Sequence, residues 1–172
     1  MIHVFMIAAV TADGFIAKSP SQVSTEWTSK EDKQFFVERT KEAGVVVMGA
    51  RTFVTIGKNL PGRHIIVYSD TAMEQDGIEV TRKDPKELVA DLEKRGYKEV
   101  AICGGSTIYS LFMAAGVVQT AYLTVHPIMF GGGIPLFSKI LTPAKELKLT
   151  QSKQLSPDVL LLEYQIKTDG AK

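Results

Sequence analysis

The chain has 172 residues, 45% of them hydrophobic, which is enough for one substantial core without metal or disulfide staples. Lys and Arg number 20 against 19 Asp and Glu, so no global field gathers nucleic acid or an anionic membrane, and an anionic ligand must be held by local groups. The one cysteine, Cys103, excludes an internal disulfide and any cysteine-rich zinc or iron–sulfur cage, and fits a reducing compartment, of which the cytoplasm is the simplest.

Residues 1–10 are apolar but short, lack a basic leader and run into Asp13-Gly14, which suits a buried strand better than a signal peptide. Over residues 28–44, Thr28 with Glu31 reads as a capping box and Arg39 and Lys41 suit the last turn of a helix. Phe36 and Thr40 follow Asp32 at four-residue steps, so the acid and the ring share a face. The runs 45–48 and 64–69 read as strands. A helix over 84–96 has Asp84 as cap, Pro85 at its first position, Glu87 closing a capping box and Gly96 as stop, with Leu88, Val89 and Leu92 as its buried stripe.

A strand at 99–103 then leads through a glycine pair into a helix over 105–116, in which Ile108, Leu111, Phe112 and Ala115 recur at helical spacing. Residues 121–125 and 160–166 supply two more strands. Several strands are continuously hydrophobic, as burial on both sheet faces demands. Strands interleaved with helices predict a mostly parallel α/β sheet, with an antiparallel edge open to the last two strands and ligands beyond the carboxyl ends. No repeat or linker is visible, so residues 1–166 read as one domain and 167–172 as a polar tail that frays.

Gly104-Gly105-Ser106-Thr107 is either an ordinary tight strand-to-helix turn or one whose glycines let a pyrophosphate approach free N–H groups. Neither the dinucleotide glycine fingerprint nor a Walker A sequence occurs. Met48-Gly49-Ala50-Arg51-Thr52 is a second such junction. Its guanidinium and hydroxyl suit a phosphate, although Arg51 in solvent and Thr52 as a cap explain them equally well. Asp32 stands in a first helical turn near Trp27, Phe35 and Phe36: either the aromatics desolvate it beside a polar ring, or it serves the helix dipole. His3, His64 and His126 have no metal-ligand spacing and Ser106 lies in no nucleophile elbow, so metal hydrolysis and acyl transfer lack support.

Together these blocks resemble the dihydrofolate reductase family over nearly the whole chain. Ile7-Ala8-Ala9 with Asp13-Gly14-Phe15-Ile16-Ala17 resembles its first strand and mobile loop, and Trp27, Asp32 and Phe36 resemble its substrate helix. Met48 to Phe53, followed by Ile56 to Arg63, resembles the cofactor turn and the segment carrying the folate-tail arginine. Cys103-Gly104-Gly105-Ser106 through Tyr109 resembles a glycine turn joined by a cis peptide, and Thr124 a threonine that supports the catalytic acid. The stretch 124–137, with Pro127, Gly131 to Pro135 and Phe137, is similar both to the thermophilic dimeric branch and to the reductase domain of riboflavin synthesis.

The resemblance implies one domain with a central, mostly parallel sheet of about eight strands, an antiparallel edge and helices on both faces. It implies hydride transfer from NADPH, with NADH still open, to a pterin such as 7,8-dihydrofolate. Asp32 would be the acid, with Trp27, Tyr109 and Thr124 around it. Ile7, Ala8, Ala9, Phe36, Ile56, Leu60, Arg63 and Cys103 would complete the substrate site, Arg63 pairing with the glutamate carboxylate. Ala9, Ile16, Gly49, Ala50, Arg51, Thr52, Ser69, Cys103, Gly104, Gly105, Ser106, Thr107, Ile108 and Tyr109 would hold the cofactor. Ala50 stands where many relatives carry a base for the 2′-phosphate, and Ser106 replaces a third glycine. The loop over 18–26 carries no assigned role. A pyrimidine reductase of riboflavin synthesis and a noncatalytic nucleotide-binding module are the competing readings. Ile128-Met129-Phe130 suggests a homodimer.

Overall fold

Alternation along the first strand organises the molecule. In β1 (His3–Thr11), Val4, Met6, Ala8 and Val10 enter one buried cluster while Phe5 and Ile7 enter another, because successive side chains leave opposite faces of a strand. The computed structural model describes residues 1–57 and 59–167, so most of the expected polar tail and Lys58 lie outside the described residues.

The remaining elements follow in chain order. They are β2 (Phe15–Ala17), a 3₁₀ turn (Ser24–Glu26), α1 (Lys30–Ala43), β3 (Val45–Gly49), α2 (Ala50–Ile56), β4 (His64–Tyr68), β5 (Ile78–Thr81) and α3 (Pro85–Lys94). After them come β6 (Glu99–Ile102), α4 (Ser106–Ala114), β7 (Thr120–His126), β8 (Ile134–Pro135), β9 (Leu147–Ser156) and β10 (Val159–Ile166). Eight strands form one sheet in the order β5-β4-β3-β6-β1-β7-β10-β9, parallel as far as β7 and antiparallel from there to the β9 edge. This is the expected α/β architecture. β2 and β8 form a small separate pair.

Leu88 and Leu92 of α3 and Ile108, Phe112 and Met113 of α4 cover one face of the sheet; Ala43, Phe35 and Phe36 of α1 and Phe53 of α2 cover the other. No helix among the described residues is long and apolar enough to cross a membrane. Of the apolar triplet 128–130, Met129 is exposed while Phe130 packs edge-on to Trp27.

Two expectations need correction. Ser29, not Thr28, caps α1: it has extended backbone and its Oγ accepts from Asp32 N–H at 3.0 Å, so the helix starts one residue later. Asp84 does cap α3, accepting from Lys86 N–H at 2.8 Å. The strands β5 and β9 carried no readable signal. β5 has only four residues, and β9 is a polar edge strand whose first eight residues are all exposed.

Helix α1 is locked onto the sheet by a forked ion pair. Arg39 Nη2 and Nη1 meet Glu99 Oε1 and Oε2 at 2.7 and 2.8 Å, with the guanidinium 3.9 Å from the centre of the Phe5 ring. The Arg39 bond holds the Glu99 carboxyl below its usual value of 4.5. A depressed carboxyl contributes stability above the unfolded value, and that contribution is lost as pH falls through the folded one. Glu99→Gln is expected to destabilise the protein by about 2 kcal/mol at pH 7, a partly screened charge-assisted pair. Urea denaturation should show the gap to the parent closing below pH 4.

Candidate active site

The parallel strands β1, β3, β4, β5 and β6 open at their carboxyl ends onto one cleft of about 1290 Å³, large enough for two ligands side by side. Its floor is Ile7, Ala8 and Ala9 of β1. Ile16, Gly133, Ile134 and Pro135 close one flank, and α1 supplies Asp32, Phe36 and Val37 on the other.

Asp32 is 8% exposed although it occupies the first turn of a helix. Ser29 N–H donates to His126 Nε2 at 3.1 Å, so the capping-box return bond expected of an acid at the third helical position is not made. The carboxylate instead takes Thr124 Oγ1–H on Oδ1 at 2.5 Å, which leaves Oδ2 for the cleft. Burial raises the Asp32 carboxyl above its usual value, outweighing the Thr124 bond and the charge of Lys33. These contacts favour the desolvated-acid reading over the helix-dipole one.

The two turns expected to carry phosphates are stitched together. Gly49 N–H donates to Gly104 O at 2.9 Å and Cys103 N–H to Val47 O at 2.8 Å. The Gly104–Gly105 peptide is cis. Gly104 has φ +100°, and a Cβ there would lie 2.9 Å from the Tyr109 ring; one at Gly105 would lie 3.3 Å from Thr52 Oγ1. Glycine lets this turn pack directly against Tyr109 and Thr52 and so shapes the concavity beside it. The start of α4 then directs N–H groups into it, whereas seven-residue α2 is too short for a useful dipole and contributes Arg51 instead. The Arg51 guanidinium lines the cleft and makes no hydrogen bond or ion pair among the described residues.

Most residues singled out in the sequence meet here: Ile7, Ala8, Ala9, Ile16, Asp32, Phe36, Gly49, Ala50, Arg51, Thr52, Ile56, Leu60, Ser69, Cys103, Gly105, Ser106, Thr107, Ile108 and Tyr109 all line the cleft. Several are already committed within the chain. Tyr109 O–H donates to Ile7 O at 2.7 Å, and burial keeps the phenol neutral. Ser106 O–H donates to Pro135 O at 2.7 Å, and Ser69 O–H to Thr71 O at 2.8 Å. Burial pushes the Cys103 thiol up to about 12, so no thiolate nucleophile stands in the cleft.

Four residues lie off the cleft wall. Gly104 and Thr124 act from behind it, through the contacts above. Trp27 packs edge-on against His126 and Phe130, 5.2 and 5.4 Å away, with its indole N–H buried and without a partner among the described residues. Arg63 turns aside because Thr40 Oγ1 accepts from its Nη1 at 2.9 Å and Pro61 O from its Nε at 3.3 Å.

The sequence reading missed Lys33, Arg82 and Lys83 and the hydroxyl-rich wall from the 18–26 loop, including Ser19, Gln22, Ser24 and Thr25. Arg82 is bound to the Ser69 and Asp70 carbonyls and Lys83 pairs with Asp91 at 3.2 Å. The adjacency of Lys33 to Asp32 and the basic pair before the Asp84 cap were the available signals.

The sheet order, the buried acid and the paired-glycine turn define a fold of the dihydrofolate reductase class. Within it the chain belongs to the RibD C-terminal domain family, whose profile matches residues 2–161. YyaP of Bacillus subtilis is 24% identical over 94% of both chains, and dihydrofolate reductase type 9 of Escherichia coli is 28% identical over 72% of this chain and 70% of its own. Enterococcus faecalis dihydrofolate reductase, solved with NADP(H), superposes with a TM-score of 0.77 at 24% identity, covering 96% of this chain and 97% of that one. A pyrimidine reductase-like protein of Corynebacterium diphtheriae superposes at 0.75 and 20% identity, covering 98% and 93%.

A carboxyl whose folded value is raised costs the folded state stability as pH climbs from its unfolded value, 3.8, through the folded one. Asp32→Asn removes that cost. Its melting temperature should exceed the parent's at pH 7, and calorimetry at pH 3, where Asp32 is largely protonated in both the folded and the unfolded chain, should show no gain.

Proposed function

We propose that the protein is a nicotinamide-nucleotide-dependent reductase of a pterin-type ring, with NADPH as donor and 7,8-dihydrofolate as substrate. The observation that carries this reading is the desolvated Asp32 carboxylate, held by Thr124 inside a cleft that also receives both glycine-bearing turns. Sequence kinship to a dihydrofolate reductase over most of its length supports it.

A reduced nicotinamide, when bound, supplies the hydride. The chain's own part is to hold, orient and protonate. The concavity bordered by Gly49 and Gly105 fits phosphates at the α4 start, and among the described residues Arg51 is a free cation beside it. Ile7, Ala8 and Ala9 give a flat apolar floor, and Phe36 walls the opposite side.

Asp32 Oδ2 accepts amidine N–H bonds from the ring. Its negative charge favours protonation of the ring nitrogen beside the carbon that receives hydride. Thr124 serves both protonation states: its hydroxyl donates to ionised Asp32, and when the acid carries the proton it can accept that proton's bond and turn its own toward Ala8 O, 3.5 Å away.

A second reading, a riboflavin-pathway pyrimidine reductase, is favoured by the engaged Arg63 and by Lys33 with the hydroxyl-rich 18–26 wall, which suit a ribosyl phosphate better than a glutamate tail. Nucleotide oxidation measured with dihydrofolate, then with the phosphoribosylamino-pyrimidine, separates the two. Turnover of neither, with tight nucleotide binding, would leave a noncatalytic binding module.

Asp32→Asn should keep nucleotide affinity while turnover falls by about 10²- to 10⁴-fold, the usual weight of a positioned acid. Unchanged turnover would remove Asp32 from the mechanism. Arg51→Ala should weaken NADPH about tenfold, the loss of one charge-assisted phosphate contact, and leave NADH unmoved in calorimetric titration.

A further inference from the structure

His126 is 2% exposed and lies beneath the substrate end of the cleft, outside its lining. Its two ring nitrogens meet backbone groups on two elements. Nε2 accepts from Ser29 N–H at 3.1 Å and therefore carries no proton, so the neutral ring's proton is on Nδ1, which donates to Thr124 O at 3.1 Å. Trp27 packs edge-on over the ring at 5.2 Å and holds its plane.

Ser29 is a serine N-cap with an acid three residues on. With Glu or Gln at that position the pattern closes on itself, the cap oxygen taking the third N–H and the side chain taking the cap N–H, and Asp32 stands in the same place one methylene shorter. Here the first half is made and the second is not, because His126 occupies the cap N–H. Without that acceptor, Ser29 N–H would be a part-buried orphan donor one turn from a carboxylate, and satisfying it would draw Asp32 back along its own helix.

We infer that His126 is a positioning residue for Asp32: by accepting the Ser29 N–H it keeps the carboxylate from closing the capping box and leaves it to Thr124 and to a ligand in the cleft. The inference rests on the reading of Asp32 as the working acid, but its physical content is the location of a carboxylate and is measurable without turnover.

The groups that face Asp32 are His126 and Thr124 from β7, Lys33 from α1 and Tyr109 from α4. Only the Ser29 N–H changes partner when His126 loses its Nε2 acceptor. An added N–H bond to the carboxylate stabilises its charged form and lowers its titration midpoint.

Two polar replacements separate the ring's two bonds. His126→Asn keeps a donor for Thr124 O but is too short to reach Ser29 N–H, and His126→Gln places its amide oxygen where Nε2 stands. The Asp32 carboxyl carbon is followed by 13C NMR across pH in the full chain, beside the pH dependence of kcat and KM. In His126→Asn the midpoint should fall by about one pH unit, with the same displacement in the kcat profile and little change in nucleotide affinity. His126→Gln should restore both.

A midpoint that stays at the parental value in a folded His126→Asn protein, or Gln and Asn variants that titrate alike, would overturn the inference. His126→Leu is the harsher control. If it does not fold, the Asn and Gln pair still decides. A parent that turns over neither a pterin nor a pyrimidine would sink the catalytic reading of Asp32 while the NMR result stood by itself.

Discussion

A closed circuit of hydrogen bonds between β7 and the start of α1 holds the site together. Thr124 O–H donates to Asp32, Asp32 N–H to Ser29 Oγ, Ser29 N–H to His126, and His126 Nδ1–H back to Thr124 O. Every member is at least partly shielded from water, where a lost partner costs about 1–3 kcal/mol. The circuit therefore specifies one side-chain arrangement and not a family of them. It also resolves a conflict: a buried carboxylate is costly, and two constraints from one strand keep it in place against that cost.

The circuit can be rigid because the scaffold beneath it is. Strand β7 pairs with β1 over seven residues, from Phe5 opposite Thr120 to Thr11 opposite His126. Helix α1 is fixed from its far end by the Arg39–Glu99 fork. The acid thus sits between two anchored elements, while the opposite wall carries the β2–β8 pair and the loops beside it. Asp13 accepts from Phe130 N–H at 3.1 Å and Gly131 N–H at 2.7 Å, and Ser106 reaches Pro135.

The legible part of the fold was the part with strong hydrophobic contrast. Strands β1, β3, β4 and β6 are buried on both faces and read directly as apolar runs, and α3 carried its own punctuation. β9 was not read because its alternation is confined to Leu147-Lys148-Leu149-Thr150 and gives way to the polar run Gln151 to Gln154; backbone pairing to β10 completes it. Asp32 was legible only as a candidate, since the contacts that distinguish a working acid from a helix-start charge come from Thr124 and His126, more than ninety residues away. Arg63 misled for the reverse reason: a guanidinium in the expected block was captured by Thr40, a neighbour that no local pattern announces.

The charges around the cleft also divide the labour between its two ends. Arg82 is spent on backbone carbonyls and Lys83 on Asp91, so among the described residues Arg51 is the cation at the glycine-turn end left without a partner. At the acid end, Lys33 donates to Thr25 O at 2.9 Å and so ties the hydroxyl-rich loop to α1 while adding positive charge beside Asp32. In a chain whose formal charge is only +1, these two cations rather than any overall field set the local potential at each end of the cleft. On the proposed reading, Lys33 would bias the tail of a substrate and Asp32 would read its ring. Ring and tail recognition would then rest on neighbouring residues of one helical turn, so a change of tail chemistry could evolve without disturbing the acid.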